Sequence, residues 1–272
     1  MATLFSFASW NVEHFWGKSE RVTRIVDLLK TKNPDVFAIF EVRGKDVFDD
    51  LMNKMPEHSF SITENNVQND MEILVGVRKS IQSFVTQREE FRAKVPTLRP
   101  GALVTLRINN KDYPILFLHP KSFKAPRDWG LRDDMFKHVA SLKRTLDKRM
   151  GANKRSPFIC VGDLNTMGLS AAYNNICDLT QELEIKFLEK RMKSVHMRRL
   201  AKTNEASWWN GKNHYKPSKL DHVFADDSLE FSTFGNADIE VIGWPQESTV
   251  QKKRKWIEKY SDHALLYGEV KK

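Results

Sequence analysis

The stretch Phe158-Ile159-Cys160-Val161-Gly162-Asp163-Leu164-Asn165 is the key to the fold. Its first four residues are apolar, and a short apolar run of this kind is typical of a strand buried inside a sheet. Gly162 ends the run, and a carboxylate and an amide follow at Asp163 and Asn165. Polar side chains at the end of a buried strand lie where α/β folds place their ligands. The stretch therefore predicts a central strand that leads directly into a functional site.

Apolar runs and helical patterns alternate along the rest of the chain. Apolar runs or alternation predict further strands at residues 4–10, 36–40, 73–77, 102–108, 115–118, 223–225, 239–242 and 264–270. Helical spacing predicts helices at residues 22–29, 47–52, 135–146 and 176–188, the third opened by Asp133 and Asp134. Asn109-Asn110 predicts a hairpin turn. Because this is no simple βαβ repeat, we expect an α/β fold with a mixed sheet or two packed sheets.

Length and composition exclude several classes of protein. The chain has 272 residues, of which 40% are hydrophobic and 29% charged, and we expect one domain over residues 1–272. No apolar run is long enough for a membrane span, and the first residues do not resemble a signal peptide, so we expect a cytoplasmic protein. Two cysteines cannot build a disulfide scaffold or a four-cysteine zinc site. We expect no obligate protein partner.

The positive charge is concentrated in part of the chain. Lys and Arg number 44 against 35 Asp and Glu, a net charge of +9 that fits a polyanionic partner. The segment 186–202 is strongly basic, and its charges fit phosphate contacts or a solvated helix face. The predicted contacts to nucleic acid are Lys121, Arg191, Arg198 and Trp208, of which Trp208 is expected to stack on bases or to be buried.

Polar side chains lie at the ends or the starts of the apolar runs repeatedly, not only at Asp163. These side chains are Asn11, Glu41, His119, Asp221, Asp262 and His263. Taken singly, each residue is explained by a strand end that meets water or by a polar turn. Taken together, they all lie beside predicted strands, which favours a shared site. Carboxylate and amide oxygens suit hard cations such as Mg²⁺, Mn²⁺ or Ca²⁺, and histidines serve as general acids and bases near neutral pH. Together with the basic charge, they predict a phosphoester hydrolase.

These motifs resemble the endonuclease/exonuclease/phosphatase superfamily, the deoxyribonuclease I and exonuclease III type of Mg²⁺-dependent phosphodiesterases. The motifs that carry the resemblance are Trp10-Asn11-Val12, Phe40-Glu41-Val42, His119-Pro120-Lys121-Ser122, Gly162-Asp163-Leu164-Asn165, Lys219-Leu220-Asp221-His222-Val223-Phe224 and Ser261-Asp262-His263. The resemblance implies a four-layer α/β sandwich, in which two packed mixed sheets are flanked by helices and the site lies at one end.

The resemblance also implies a metal site and a role for His119. Glu41 would be the principal ligand of Mg²⁺, or of Mn²⁺ or Ca²⁺, with help from Asn11 and Asp262. His119 resembles the general acid or phosphate ligand of the deoxyribonuclease I branch, where a Glu supports this histidine. Glu72, just before a predicted strand, is a candidate for that support or an ordinary strand residue.

Four further residues receive catalytic roles from the resemblance. Asp163 would orient or deprotonate the attacking water, and Asn165 would hold the water or a phosphate oxygen. His263 would contact the scissile phosphate and would be polarised by Asp221. Whether Asp163 or His263 is the base stays open at this point.

The sequence leaves three functions to be weighed. The first is a metal-dependent nuclease that hydrolyses DNA; the absence of a Tyr between Pro120 and Leu146 argues against abasic-site repair. The alternative is a phosphatase or phosphodiesterase that acts on a small or lipid phosphoester, such as an inositol phosphate or sphingomyelin. A catalytically inactive nucleic-acid-binding protein is the third, and it is disfavoured because every catalytic position holds a competent residue.

Overall fold

The computed structural model describes residues 2–15, 20–43, 46–64 and 71–272. The strands are β1 (Thr3–Phe15), β2 (Val36–Val42), β3 (His58–Ile62), β4 (Glu72–Arg78), β5 (Gln82–Arg88), β6 (Gly101–Ile108), β7 (Lys111–Phe117), β8 (Ile159–Asp163), β9 (Met197–Arg199), β10 (Asp221–Asp226), β11 (Ile239–Ile242) and β12 (Leu265–Lys271). The α-helices are α1 (Glu20–Lys32), α2 (Asp46–Lys54), α3 (Pro126–Met150), α4 (Gln181–Lys193) and α5 (Val250–Lys259).

The strands form two mixed sheets of six strands each. The first has the order β11-β12-β1-β2-β4-β3, and the second has the order β5-β6-β7-β8-β10-β9. The pairs β1–β2 and β7–β8 are parallel, and the other pairs are antiparallel. The prediction of an α/β fold with two packed mixed sheets is confirmed.

Three hydrophobic clusters make the layers. The central cluster, with Phe40, Phe117 and Val161, joins residues of both sheets and so fills the space between them. A second cluster joins the first sheet to α1 and α2, and a third joins the second sheet to α3 and α4. The short apolar strands are buried on both faces because sheet packs on one face and helix on the other. This is the four-layer arrangement that the sequence resemblance implied.

The topology brings the functional motifs to one end of the sandwich. Strands β1 and β2 are parallel, so the ends that carry Asn11 and Glu41 share an edge. Strand β10 runs antiparallel to β8, which puts its first residue, Asp221, opposite the last residue of β8, Asp163. Strand β12 runs antiparallel to β1 and begins just after His263, beside the end of β1. Motifs that are far apart in the chain therefore meet.

Several local predictions differ from the structure. Helix α3 begins at Pro126 rather than near Asp133, because Pro at the first turn suits a helix start and leaves no amide unpaired. Ile176 lies outside α4 and is exposed, since Thr180 caps that helix by accepting from the Leu183 amide. The short or half-exposed strands β3, β5 and β9 and the helix α5 were not predicted.

Other local predictions are confirmed. Asn109 and Asn110 form the turn between β6 and β7, and both have the positive φ angles that the twist of a two-residue hairpin requires. Among the described residues, no helix is both long enough and apolar enough to cross a bilayer.

A buried ion pair ties α3 to α4 and to the loops beside the functional end. Arg132 and Glu184 are almost fully buried, and the guanidinium contacts both carboxylate oxygens, at 2.9 and 3.2 Å. Arg132 also donates to the carbonyls of Lys121, Phe123 and Gly168. Because one buried cation satisfies a carboxylate and three loop carbonyls, its loss affects several elements together.

Replacing Arg132 with Met is expected to lower the free energy of unfolding by about 3–5 kcal/mol, since Glu184 would stay buried without its cation. The exposed pair Arg107–Asp112 provides the control, and Arg107→Met is expected to cost less than about 1 kcal/mol. Urea unfolding of both variants measures the difference. Equal, small losses in the two variants would contradict this role of Arg132.

Candidate active site

A cleft of about 520 Å³ opens at the end of the sandwich where the motifs meet. The predicted residues that line it are Asn11, Glu41, His119, Lys121, Asp163, Asn165, Trp208, Asp262 and His263. Asp221 lies directly behind this wall and is fully buried against His263. The structure thus gathers every predicted catalytic and metal-binding residue around one cleft.

Asn11 lies between carboxylates that come from different sheets. Its side-chain nitrogen donates to Glu41 Oε1 at 3.1 Å and to Asp163 Oδ2 at 3.0 Å. Its side-chain oxygen accepts from the Glu13 amide at 3.0 Å. Asn11 therefore presents its nitrogen, not its oxygen, to the carboxylates and holds them close together.

Backbone irregularities aim these side chains into the cleft. Glu41 has a φ of 65°, and the register of β2 against β4 shifts at this point. Asn165 has a φ of 50°, its amide donates to Asp163 Oδ1, and its side chain donates to the Pro120 carbonyl. Bulges and left-handed residues commonly redirect side chains at functional sites. Here they turn residues at strand ends towards a shared space.

His263 and Asp221 form a buried, hydrogen-bonded dyad. His263 Nδ1 lies 2.9 Å from Asp221 Oδ2, while Nε2 lies 3.6 Å from Asp163 Oδ2 and faces the cleft. Burial lowers the pKa of His263, but the carboxylates of Asp221 and Asp163 outweigh burial and raise it well above the ordinary value. The imidazole is therefore held as a cation whose Nε2–H faces the cleft, where it can donate to an anionic group.

The carboxylates Asp163 and Glu41 are held in their ionised forms. Burial raises the pKa of Asp163, but His263 and His119 outweigh burial and hold it well below its usual range. Burial also raises the pKa of Glu41, but the His119 imidazole and the hydrogen bonds from Asn11 and the His14 amide lower it overall. Both side chains consequently remain negative acceptors at neutral pH.

Tryptophan N–H groups hold the turn that carries Asp262 and His263. Trp208 Nε1 donates to Asp262 Oδ2 at 2.6 Å, Trp244 Nε1 to the Asp262 carbonyl, and Trp10 Nε1 to the His263 carbonyl. Burial raises the pKa of Asp262 to about 6 against the opposing effect of His263, with Glu13 and Glu41 adding to the rise. Trp208, predicted as a nucleic-acid contact, thus also fixes the predicted metal ligand Asp262.

His119 approaches the same carboxylates from β7. Its Nε2 lies 3.4 Å from Asp163 Oδ2 and 3.9 Å from Glu41 Oε1, and its ring packs edge-on against Phe40. Its Nδ1 is buried, and no described residue forms a hydrogen bond with it. Glu72 accepts instead from the Thr63 hydroxyl. The structure does not bring Glu72 to His119 as the support that the sequence suggested.

The predicted nucleic-acid contacts divide into two groups. Lys121 and Trp208 line the cleft. Arg191 and Arg198 are not among the described residues that line it: Arg191 pairs with Asp133 at 2.6 Å, and Arg198 donates to the carbonyls of Asp226 and Leu229. The basic segment 186–202 is therefore partly occupied with holding the second sheet and its helices.

Arg99 and His14 are among the residues of the site that the sequence reasoning missed. Arg99 lines the cleft just before β6, and its Nε donates to the Met71 carbonyl at 2.7 Å. The backbone amide of His14 donates to Glu41 Oε2 at 3.1 Å. A cation directly before a strand, in Arg99-Pro100-Gly101, was the available signal for Arg99; a backbone amide leaves no signal in the sequence.

The residues present fit a divalent cation. Glu41, Asp163 and Asp262 all line the cleft, and Asp262 Oδ1 is buried with no hydrogen-bond partner among the described residues. Oxygen donors in this number suit a hard cation, which would offset their mutual repulsion. Asp163, Asp221 and His263 also offer ligand atoms within 4.8 Å of one another, but Asp221 and His263 already bind each other. We therefore favour the Glu41 side of the cleft.

The family model described as the endonuclease/exonuclease/phosphatase family matches residues 8–263. The chain belongs to this family. The match spans all of the motifs from Asn11 to His263, so the resemblance seen in the sequence is confirmed, and with it a hydrolytic phosphoesterase fold. No curated protein matches the chain.

Solved structures of the endonuclease/exonuclease/phosphatase family share the fold. TDP2 from C. elegans has a TM-score of 0.66 at 15% identity, over 98% of this chain and 74% of that one. TDP2 from D. rerio, complexed with a single-strand DNA product, has a TM-score of 0.61 at 16% identity, over 98% and 99%. The mannosyl-6-phosphatase Bt3783 of Bacteroides thetaiotaomicron has a TM-score of 0.60 at 13% identity, over 98% and 100%. At these identities, the likeness concerns the fold alone.

Mg²⁺ is expected to raise the midpoint of thermal unfolding by several degrees, because a ligand at 100 times its Kd adds about 2.7 kcal/mol of stability. Glu41→Gln is expected to gain much less from Mg²⁺, since it loses the charge that binds the cation. Glu258→Gln, at an exposed position of α5, is the matched control and should gain as much as the wild type. An equal gain in all three proteins would contradict a cation site at Glu41.

Proposed function

We propose that the protein is a divalent-metal-dependent nuclease that hydrolyses DNA phosphodiester bonds by in-line attack of water. The observation that carries the proposal is that the His263–Asp221 dyad, Asp163 and Glu41 meet at one cleft. Positively charged side chains also line this cleft. We further propose that residues 1–272 form a single catalytic domain, since the site draws on residues near both ends of the chain.

Glu41 and Asp262 would hold the cation, with Asn11 keeping the Glu41 carboxylate in place. We propose Mg²⁺, although Mn²⁺ and Ca²⁺ suit the same oxygen donors. When bound, a divalent cation supplies charge stabilisation for the phosphoryl oxygens of the reacting phosphate.

The remaining chemistry belongs to side chains around the cleft. Asp221 holds the Nδ1 proton of His263, so the imidazolium presents Nε2–H to a non-bridging phosphate oxygen and stabilises the charge that develops there. Asp163 positions the attacking water and takes its proton; we favour this carboxylate as the base because His263 is held as a cation. Asn165 lies next to Asp163 and holds the water or a phosphate oxygen. His119, close to Asp163, protonates or binds the departing side of the phosphate.

The surroundings of the cleft favour a nucleic acid. Lys121 and Arg99 place positive charge at the cleft, and Trp208 adds an aromatic side chain. Cations beside aromatic rings are the combination that binds the phosphates and bases of nucleic acids. The likeness to a TDP2 structure with a DNA product supports the same choice.

A phosphatase that acts on a small phosphoester is the second candidate. The likeness to a mannosyl-6-phosphatase favours it, because the same fold serves both kinds of substrate. The two candidates differ in their product, which is a cut strand in one case and inorganic phosphate or a small phosphoester fragment in the other.

Asp163→Ala and His263→Ala are each expected to lower the rate of DNA cleavage by about 10²–10⁴-fold, because each removes a group that moves a proton or stabilises charge. Supercoiled plasmid incubated with Mg²⁺, with and without a chelator, measures nicking. Asp27→Ala, an exposed carboxylate of α1, is the control. Release of phosphate from small substrates without nicking of the plasmid would support the phosphatase. DNA binding without turnover of either substrate would contradict both candidate functions.

Asp221→Asn is expected to lower kcat by about 10²-fold or more while the protein stays folded, because the amide no longer stabilises the His263 cation. The measurement is kcat over a range of pH, alongside the midpoint of thermal unfolding. The variant should lose activity at a lower pH than the wild type, as the pKa of His263 falls towards its ordinary value. A kcat and pH profile like those of the wild type would contradict the dyad.

A further inference from the structure

We propose that Phe123 determines specificity, with its ring forming a wall of the cleft on which an unpaired base of the substrate stacks. The inference rests on the proposed function and deepens it, because it names the part of the nucleic acid that this wall recognises. The sequence reasoning did not identify Phe123. Its position, backbone conformation and neighbours carry the argument.

Phe123 lies on the loop that begins with the catalytic residue His119. Its ring lines the same cleft as Asp163 and His263, together with Met167 from the loop after β8. The residue is 63% exposed, whereas most of the large apolar side chains of the chain are buried. A single exposed phenylalanine needs no explanation by itself, but this one borders the reacting groups.

The backbone of Phe123 is strained, and the surrounding structure holds the strain. Its φ is 78°, a conformation that is an outlier for a bulky side chain and that glycine adopts without cost. The buried guanidinium of Arg132 donates to its carbonyl at 2.5 Å, and its amide donates to Met167 Sδ at 3.2 Å. A glycine would satisfy the same turn without strain. Strained conformations persist where the surrounding structure holds them, and they cluster at functional sites.

The ring of Phe123 has a cation beside it. Lys121 Nζ lies 4.5 Å from the ring centroid, and its charge also lies 3.5 Å from Asp128 Oδ1. A polynucleotide presents a phosphate and a base at each step, so neighbouring cation and ring contacts match its chemistry. Lys121 accordingly binds a phosphate next to the scissile one, while Phe123 contacts the adjoining base.

The face of the ring selects the kind of nucleotide. A base inside a duplex is stacked on both faces, and only a single-stranded, terminal or flipped base has a face free to stack on a side chain. The wall at Phe123 therefore favours single-stranded DNA or unpaired ends. Stacking tolerates all four bases, so the preference is for the presence of a base rather than for a sequence.

Two variants remove the ring of Phe123 but differ in what they do to the backbone strain. Phe123→Gly removes the ring and relieves the strain, and it is expected to melt at the same temperature as the wild type or higher. Phe123→Ala removes the ring and keeps the strain. Phe84→Ala is the matched control, because Phe84 is 68% exposed on the edge strand β5 and is not among the described residues that line the catalytic cleft.

The test uses single-stranded oligonucleotides labelled at one end, with Mg²⁺, in which one nucleotide at a time is replaced by a tetrahydrofuran residue that lacks the base. The rate of cleavage at the neighbouring phosphate is compared with the rate at the same phosphate when the base is present. We expect the wild type and Phe84→Ala to cleave beside a base about tenfold faster than beside the base-free residue. In both Phe123 variants, this ratio should fall towards one.

Each other result overturns the inference in a recognisable way. A wild-type ratio near one would contradict the stacking wall, and so would a ratio that is unchanged in Phe123→Gly and Phe123→Ala. Neither result would contradict the proposed nuclease activity. Equal losses on both substrates, together with a lower melting temperature for Phe123→Gly, would show that the ring is structural. If the wild type nicks supercoiled plasmid but cleaves no single-stranded oligonucleotide, the inference fails alone, whereas the proposed function fails with it only if the wild type cleaves neither.

Discussion

The functional end of this protein depends on holding negative charges from two sheets next to each other. Glu41 ends a strand of the first sheet, Asp163 ends a strand of the second, and the Asn11 side chain donates to both. Two buried carboxylates repel each other and lose hydration, so they stay close only where donors satisfy them. The His263 cation supplies positive charge, and His119 Nε2 also lies near Asp163. The rest of the fold serves to bring these groups within reach of one another.

The same constraint explains why the loops beside the cleft are tied so firmly. Asn165 donates to the Pro120 carbonyl, and Arg132 bonds carbonyls on the loops after β7 and β8. Arg132 itself is neutralised by Glu184 on α4. The helices α3 and α4 therefore do more than cover the second sheet. Through the buried Arg132–Glu184 pair, they also hold in place the loops that carry the predicted catalytic residues. A catalytic group misplaced by about 1 Å loses much of its effect, which makes such support necessary.

The sequence predicted the central strands and the residues that the structure gathers at one cleft, and physical reasons separate these features from the ones it missed. Strands such as β2 and β8 are buried on both faces, so they leave a continuous apolar run, and the polar residue that follows, Glu41 or Asp163, is visible against it. Strands β3 and β5 are half exposed and leave a weaker pattern. Charge alone was a poor guide to binding, because an arginine looks the same in the sequence whether it meets a phosphate or, like Arg191, a carboxylate of its own chain. Backbone contributions, such as the His14 amide, leave no trace in residue type.

His119 shows how a resemblance and a structure can diverge at one residue. The branch that uses this histidine supports it with a carboxylate, yet here no described residue forms a hydrogen bond with its buried Nδ1, and Glu72 accepts from Thr63. An imidazole with only one nitrogen engaged keeps a choice of tautomer, and its Nε2 faces carboxylates that favour a proton on that nitrogen. The histidine is therefore oriented from the cleft side, by Asp163 and Glu41, rather than from behind. The role that we propose for His119 therefore needs no carboxylate behind its ring, because a phosphate oxygen in the cleft would replace Asp163 as the acceptor that faces Nε2.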